Sequence, residues 1–342
     1  MRPMPPASGG HRPPLHLPSM SRLRALLATL RIANAPSVVS NVWLGYILGR
    51  VLWGKGWDRI DNLHVPALLI AAGLLLYFAG NLVNDWFDRA WDESRRPERA
   101  LPSGLFKPRT YFGAAMITAA VGFILAASVR LECGLCALAI IALVTVYTHF
   151  HKQTLWSVVP MGLCRSGLYL LGFLASWPAW DHVRTSPETF HVVATVSTLA
   201  VGLFCYITGL SLSARYEGMA HPPPGPLVIS KALLILPLLA MSCWFMPRYP
   251  LFGIIGIIPF LMWLTLCLTR FRRPIPRYVS ALLAGIPLVD FIAAAPLALG
   301  PPSMLWGTYR NVLEFPHLTV LLILPLIAFI LGRLLQKVAP AT

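Results

Sequence analysis

The hydrophobic residues of this chain come in long unbroken runs. Residues 66–80 read PALLIAAGLLLYFAG, and residues 317–332 read HLTVLLILPLIAFILG. About 20 such residues cross the hydrocarbon core of a bilayer as a helix. A membrane β-barrel would need apolar and polar positions in alternation, and these runs do not alternate. The pattern predicts ten spans, over 34–52, 65–84, 110–130, 133–149, 157–177, 191–213, 227–246, 250–269, 278–299 and 317–336. The expected fold class is all-α: a polytopic transmembrane helical bundle of 9–10 spans, forming a single domain over 23–338.

The polar residues between the runs orient the bundle. Arg22, Arg24 and Arg31 precede the first span, and the loop over 85–109 holds Arg89, Arg95, Arg96, Arg99, Lys107 and Arg109. With ten spans, these segments share a side with His149–Lys152, Arg215–Lys231, the 270–277 loop and the C-terminus. The positive-inside rule makes that side cytoplasmic. The expectation is an integral, multi-pass protein of a bacterial inner membrane, with both termini in the cytoplasm. Residues 1–22 are rich in Pro, Gly and Ser and are expected to form a disordered basic tail. They lack the compact basic-then-apolar pattern of a signal peptide.

Composition agrees with this reading. Only 12% of the residues are charged, against about 25% in a soluble domain. The formal net charge of +15 would suggest nucleic acid as a partner in a soluble protein. Here the cations sit in loops between spans and no nucleic-acid module is present. Anionic ligands and the lipid bilayer itself are the expected partners. Cys133 and Cys136 form a CxxC inside an apolar run without a second pair, which reads as packing. There is no phosphate-binding P-loop, GxSxG or HExxH motif.

One polar stretch stands apart. Residues 84–104 read NDWFDRAWDESRRPERALPSG. If the second span continues as a helix, Asp88 and Asp92 lie one turn apart on one face, with Asp85 and Asn84 near the same stripe. Like charges at that spacing repel, which makes Asp85, Asp88 and Asp92 candidate ligands for a hard cation such as Mg²⁺, with Asn84 as a further oxygen donor. A cation there could hold a diphosphate. Arg95, Arg96 and Arg99 follow as candidate phosphate contacts.

Asn84-Asp85-Trp86-Phe87-Asp88-Arg89-Ala90-Trp91-Asp92, followed by Arg99-Ala100-Leu101-Pro102-Ser103-Gly104, resembles the first motif of the UbiA-type intramembrane prenyltransferases. Ala100 stands where that family has Pro. Tyr147-Thr148 with Lys152 resembles a second family element, and Arg31 and Asn34 match a weaker one. The resemblance implies a helical fold around a central cavity and transfer of an isoprenyl group from a prenyl diphosphate donor to an aromatic or other hydrophobic acceptor. It implies Mg²⁺ as cofactor, Asp88 and Asp92 in the catalytic set, and Lys152 as a diphosphate contact.

The family expects a second Asp-rich motif after the sixth span. Residues 206–225 instead read YITGLSLSARYEGMAHPPPG. This ending resembles the divergent, EboC-like branch of the superfamily. Two readings follow. In one, Arg215 takes the place of a metal in the catalytic set, with Glu217 orienting it at the substrate. In the other, the chain binds or transports a prenyl lipid without transfer chemistry. Two further ionisable residues lie inside spans. Asp290 falls near mid-bilayer, where such groups face a cavity or a partner. Arg165 either snorkels to the interface or contacts phosphate. Both are candidate substrate contacts.

Overall fold

The computed structural model describes residues 22–53, 63–178, 183, 189–216, 224–245, 250–299 and 316–339. Residues 1–21, most of the expected tail, lie outside them. Every regular element among the described residues is a helix, and none is a strand. The helices are α1 (Arg22–Thr29), α2 (Ala35–Leu52), α3 (His64–Arg95), α4 (Pro108–Val129), α5 (Leu131–Phe150) and α6 (Val158–Phe173). They continue as α7 (Thr189–Arg215), α8 (Pro224–Phe245), α9 (Pro250–Thr269), α10 (Ile275–Ala284), α11 (Ile286–Leu299) and α12 (Pro316–Val338). Each predicted span coincides with one of these helices or, for 278–299, with the pair α10–α11. By length and composition alone, six helical stretches among the described residues can cross a membrane: α3, α4, α5, Leu155–Ser176, α7 and Ile275–Leu299.

The largest departure from the predicted boundaries is at α3. It runs past residue 84 to Arg95, 32 residues in all. At 1.5 Å per residue this is about 48 Å, well beyond a hydrocarbon core of about 30 Å. The extra turns carry the acidic motif on the same continuous helix as the apolar run.

Burial sorts the helices. Residues Ile286 to Ala298 of α11 are all buried, as expected of a helix that is apolar on every side. α4 lies at the periphery, with Ile117 and Ile124 exposed where lipid would be. α2 and α6 pack backbone to backbone. A Cβ at Gly45 would lie 2.1 Å from the Tyr169 carbonyl oxygen, and one at Gly172 would lie 2.2 Å from that of Val42. Small residues of this kind let membrane helices approach closely.

Three segments meet at the motif end of the bundle. Asn81 Nδ2 donates to the Leu30 carbonyl and the Tyr77 hydroxyl to that of Arg31, which ties the α1–α2 turn to α3. Gly332 near the end of α12 packs against the Ala33 carbonyl oxygen. The α1–α2 turn, the end of α3 and the end of α12 therefore lie on one side.

Candidate functional site

Asn84, Asp85, Asp88 and Asp92 are all buried, while Phe87 on the other face is 45% exposed. The spacing of three and four residues puts the polar set on the inner stripe of α3. After Arg96 the chain folds back on the helix. Ala100 and Leu101 are buried against a small apolar cluster with Ala25, Leu82, Tyr111 and Ala115. Gly104 closes the turn at φ 74°, a left-handed conformation that glycine takes without strain. This return places Arg99 over the carboxylates. Its Nη1 lies 2.8 Å from Asp92 Oδ2 and 3.5 Å from Asp85 Oδ1. The LPSG sequence thus acts locally as the anchor and hinge that aim Arg99.

The end of α5 contributes two more groups. His151 Nε2 is 3.2 Å and Lys152 Nζ is 3.3 Å from Asp88 Oδ2. Asn84 Nδ2 donates to the same oxygen at 3.2 Å. Lys152 also lies 3.6 Å from the centre of the Trp91 ring, within cation–π range. At the end of α7, Arg215 Nη1 donates to the His151 carbonyl at 2.7 Å. Arg215 is thereby joined to the segment that faces Asp88. Arg31 sits beneath. Burial disfavours its charge, but Asp85, Tyr77 and Tyr147 facing it raise its pKa above the ordinary value.

The three carboxylates do not form a shared cage. Among the described residues no group of three His, Cys, Asp or Glu side chains is placed to hold a metal ion. The expected Asp85–Asp88–Asp92 metal set is instead divided between Arg99 on one side and His151 with Lys152 on the other. Two buried oxygens nevertheless lack any partner: Asn84 Oδ1 and Asp92 Oδ1. They lie on one face of α3, two turns apart in sequence, and a buried acceptor without a donor is costly. Hard oxygen atoms of this kind suit Mg²⁺, which binds through one or two carboxylates and takes phosphate oxygens and water for the rest. The donor set fits an open, substrate-completed ion rather than one held by protein alone.

Other predicted residues fall elsewhere. Arg95 is exposed, its guanidinium 4.5 Å from the Trp91 ring centre. Neither Arg95 nor Arg96 pairs with a carboxylate among the described residues. Glu217 lies outside the described residues. Asp290 and Arg165 belong to a second network, inside the bundle. Asp290 is fully buried and accepts from Ser40, Tyr169 and, at 2.9 Å to each oxygen, Asn41 Nδ2. Both carboxylate oxygens are engaged by protein donors, so the expected substrate contact is taken up by interhelical bonding. Arg165 does not snorkel outward. Its Nη1 donates to Ser37 Oγ at 3.0 Å and Asn41 Oδ1 at 3.4 Å, and its guanidinium lies 5.1 Å from the Tyr77 ring centre.

His151 is not among the site residues expected from sequence, where its spacing from His149 speaks only against a zinc site; its usable signal is its position beside Lys152. Sequence reasoning also passes over Ser37, Ser40 and Asn41, whose three- and four-residue spacing in an apolar span marks an inward polar stripe.

A model of the UbiA prenyltransferase family matches residues 42–286. The digeranylgeranylglyceryl phosphate synthase of Methanothrix thermoacetophila is 36% identical over 84 residues, 25% of this chain and 29% of that protein. The enzyme of the same description from Methanosarcina mazei is 33% identical over 106 residues, 31% of this chain and 37% of that protein. The matched stretches thus span about a third of the length of these curated relatives. Both relatives are archaeal and lend no support to the bacterial membrane expected above. Among solved structures, a UbiA homologue from Aeropyrum pernix K1 in its apo form superposes with a TM-score of 0.61. The superposition covers 77% of this chain and 98% of that one at 15% identity, a likeness of fold.

Proposed function

This chain belongs to the UbiA prenyltransferase family, and we propose that it transfers an isoprenyl group from a prenyl diphosphate to a hydrophobic acceptor within the membrane. The observation that carries the reading is the buried end of α3. There Asn84 and Asp92 each keep an unpartnered oxygen while Arg99, Lys152 and His151 surround the same face. Such a site receives a diphosphate and its counter-cation together. Asp92, Asp88 and Asn84 would hold Mg²⁺, with Asp85 alongside. When bound, the ion neutralises charge on the departing diphosphate.

The protein's own groups define the remaining roles. Arg99 and Lys152 release their carboxylates and donate to phosphate oxygens. Arg215 is where the resemblance would have a second carboxylate set, and its bond to His151 brings a fixed positive charge to the same loop. We assign it to the diphosphate, in place of a second metal. Ionisation breaks the allylic C–O bond, and the electron pair leaves with the diphosphate. The acceptor then bonds to the allylic carbon and loses a proton. The enclosing apolar helices keep water from the cation. The names of the curated relatives, digeranylgeranylglyceryl phosphate synthases, support a lipid acceptor over an aromatic one. The basic loops support placing this end of the bundle, and both termini, in the cytoplasm.

The absence of any carboxylate at 206–216 favours a second reading, a prenyl-lipid binder without transfer chemistry. One experiment separates the two. Purified protein is incubated with radiolabelled prenyl diphosphates, Mg²⁺ and membrane lipid extract. Labelled lipid product that requires Mg²⁺ supports transfer. Mg²⁺-dependent retention of intact donor with no product would overturn it in favour of binding alone.

A further inference from the structure

Near the end of α12 two arginines share one ring. The Arg277 guanidinium lies 4.9 Å and that of Arg333 5.8 Å from the centre of Phe271, and Arg333 lies 5.2 Å from that of Trp263. The two like charges are close enough to act on each other. From residue 218 to the end of the chain only Asp290 and Glu314 are acidic. Asp290 is sealed in the core network, and Glu314 lies outside the described residues. Arg270, Arg272, Arg273 and Lys337 add exposed cations around the pair. Among the described residues no carboxylate pairs with either guanidinium, and Arg333 Nη1 donates to the neutral Gln336 Oε1 at 2.6 Å; two guanidiniums held on one ring in this way are set for an anion.

The helices below it shape the rest. α9 and α12 both pack on α11, and Trp263 of α9 meets Phe329 of α12 edge to face at 4.8 Å. Trp263 is seated by its Nε1, which donates to the Ala281 carbonyl at 2.9 Å. It also needs Gly285, where a Cβ would come within 2.9 Å of the indole. On either side, Met262 and Leu266 of α9 and Ile330 and Leu334 of α12 are exposed. A charged cap therefore stands over an aromatic seam flanked by apolar, lipid-facing side chains. Gly332, next to Arg333, packs on Ala33, so the cap lies at the same end of the bundle as the acidic motif.

We infer that Arg277, Arg333 and Phe271 form a binding site for the phosphate of an anionic phospholipid, whose acyl chains lie along α9 and α12. Arginine suits phosphate through its planar fork, and basic residues at a membrane surface attract anionic lipid. The site is separate from the carboxylate cluster and goes beyond the transfer reaction proposed above.

The test uses full-length protein in mild detergent with phosphatidylglycerol or phosphatidylcholine of the same acyl chains, and bound lipid is counted by native mass spectrometry. Phosphatidylglycerol is expected to be retained preferentially, and rising salt should weaken that preference. The Arg277→Gln/Arg333→Gln variant should bind it about 25-fold more weakly, while Arg277→Lys/Arg333→Lys keeps most of the preference. Equal retention of the two lipids would overturn the proposal, as would a preference insensitive to salt or one unchanged in a Gln variant that melts like the unmodified protein. Displacement of the lipid by millimolar inorganic phosphate or pyrophosphate would reassign the site to a soluble anion and overturn the lipid assignment. Should the Gln variant fail to fold, the salt series and the Lys variant still decide.

Discussion

Asp290 and the Asp85–Asp92 set place the same side chain in opposite surroundings. Around Asp290 every donor is neutral or shared. Ser40, Asn41 and Tyr169 satisfy both oxygens, and Arg165 is reached only through Asn41 and Ser37. At the end of α3 the partners are Arg99 and Lys152, full cations on flexible stems, together with His151, and Asp92 Oδ1 has no partner at all. A closed set of short neutral donors joins α2, α6 and α11 and leaves nothing free for a ligand. An open set with removable cations and spare oxygens can exchange its partners for a substrate. Burial alone does not separate the two, since Asp92 is 1% exposed and Asp290 0%. The identity and saturation of the partners do.

The contrast can be broken most sharply at the first set. Asp92→Asn should lower transfer about 10²–10³-fold, the scale of losing a pre-aligned electrostatic group, with little change in melting temperature. Labelled-product assays and thermal melting on the same samples check both halves. If Asp92→Asn instead unfolds the protein with turnover intact, the two carboxylate regions are alike. Asp290→Ala should do the reverse. It orphans the Ser40, Asn41 and Tyr169 donors in the core, at a cost of about 2–3 kcal/mol. Melting in detergent should fall while the KM for donor per folded molecule stays put. Asp290→Asn, which keeps one acceptor oxygen, should restore much of that loss.

Arg215 tests the region between them. Arg215→Ala should weaken donor binding about tenfold, the scale of a charge-assisted contact to phosphate, with partial recovery in Arg215→Lys. A change in melting with unaltered KM would make it a tether of the α5–α6 loop only. The smallest effect is expected at Arg95, which stacks on Trp91 in solvent. Arg95→Gln should change donor KM by less than about twofold, as exposed charges commonly do.

Much of the fold is legible in the amino-acid sequence. The apolar runs locate every helical span because bilayer thickness demands them, and the period of 3.6 puts Asp85, Asp88 and Asp92 on one face. Arg99 is legible too, but for the wrong reason. The sequence sets it beside Arg95 and Arg96 as one basic run, whereas the turn closed by Gly104 sends it back to Asp92 and leaves Arg95 outside. From sequence, Asp290 reads as facing either a cavity or a partner helix and Arg165 as either snorkelling or contacting phosphate, because an ionisable side chain inside a span needs a partner. Which partner it finds depends on the rotation of α2 and α6 against α11, and a single apolar run says nothing of rotation.

The sequence by itself determined the class of molecule, the place of its apolar helical stretches, and the inward stripe of carboxylates, since each follows from local hydrophobicity and helical period. Only the tertiary structure decided which charges meet. His151 lies 63 residues from Asp88, and Ser40 lies 250 residues from Asp290. Such pairings arise when helices pack closely enough to exclude water. Inside that enclosure an unpaired polar group costs more than any local preference can offset.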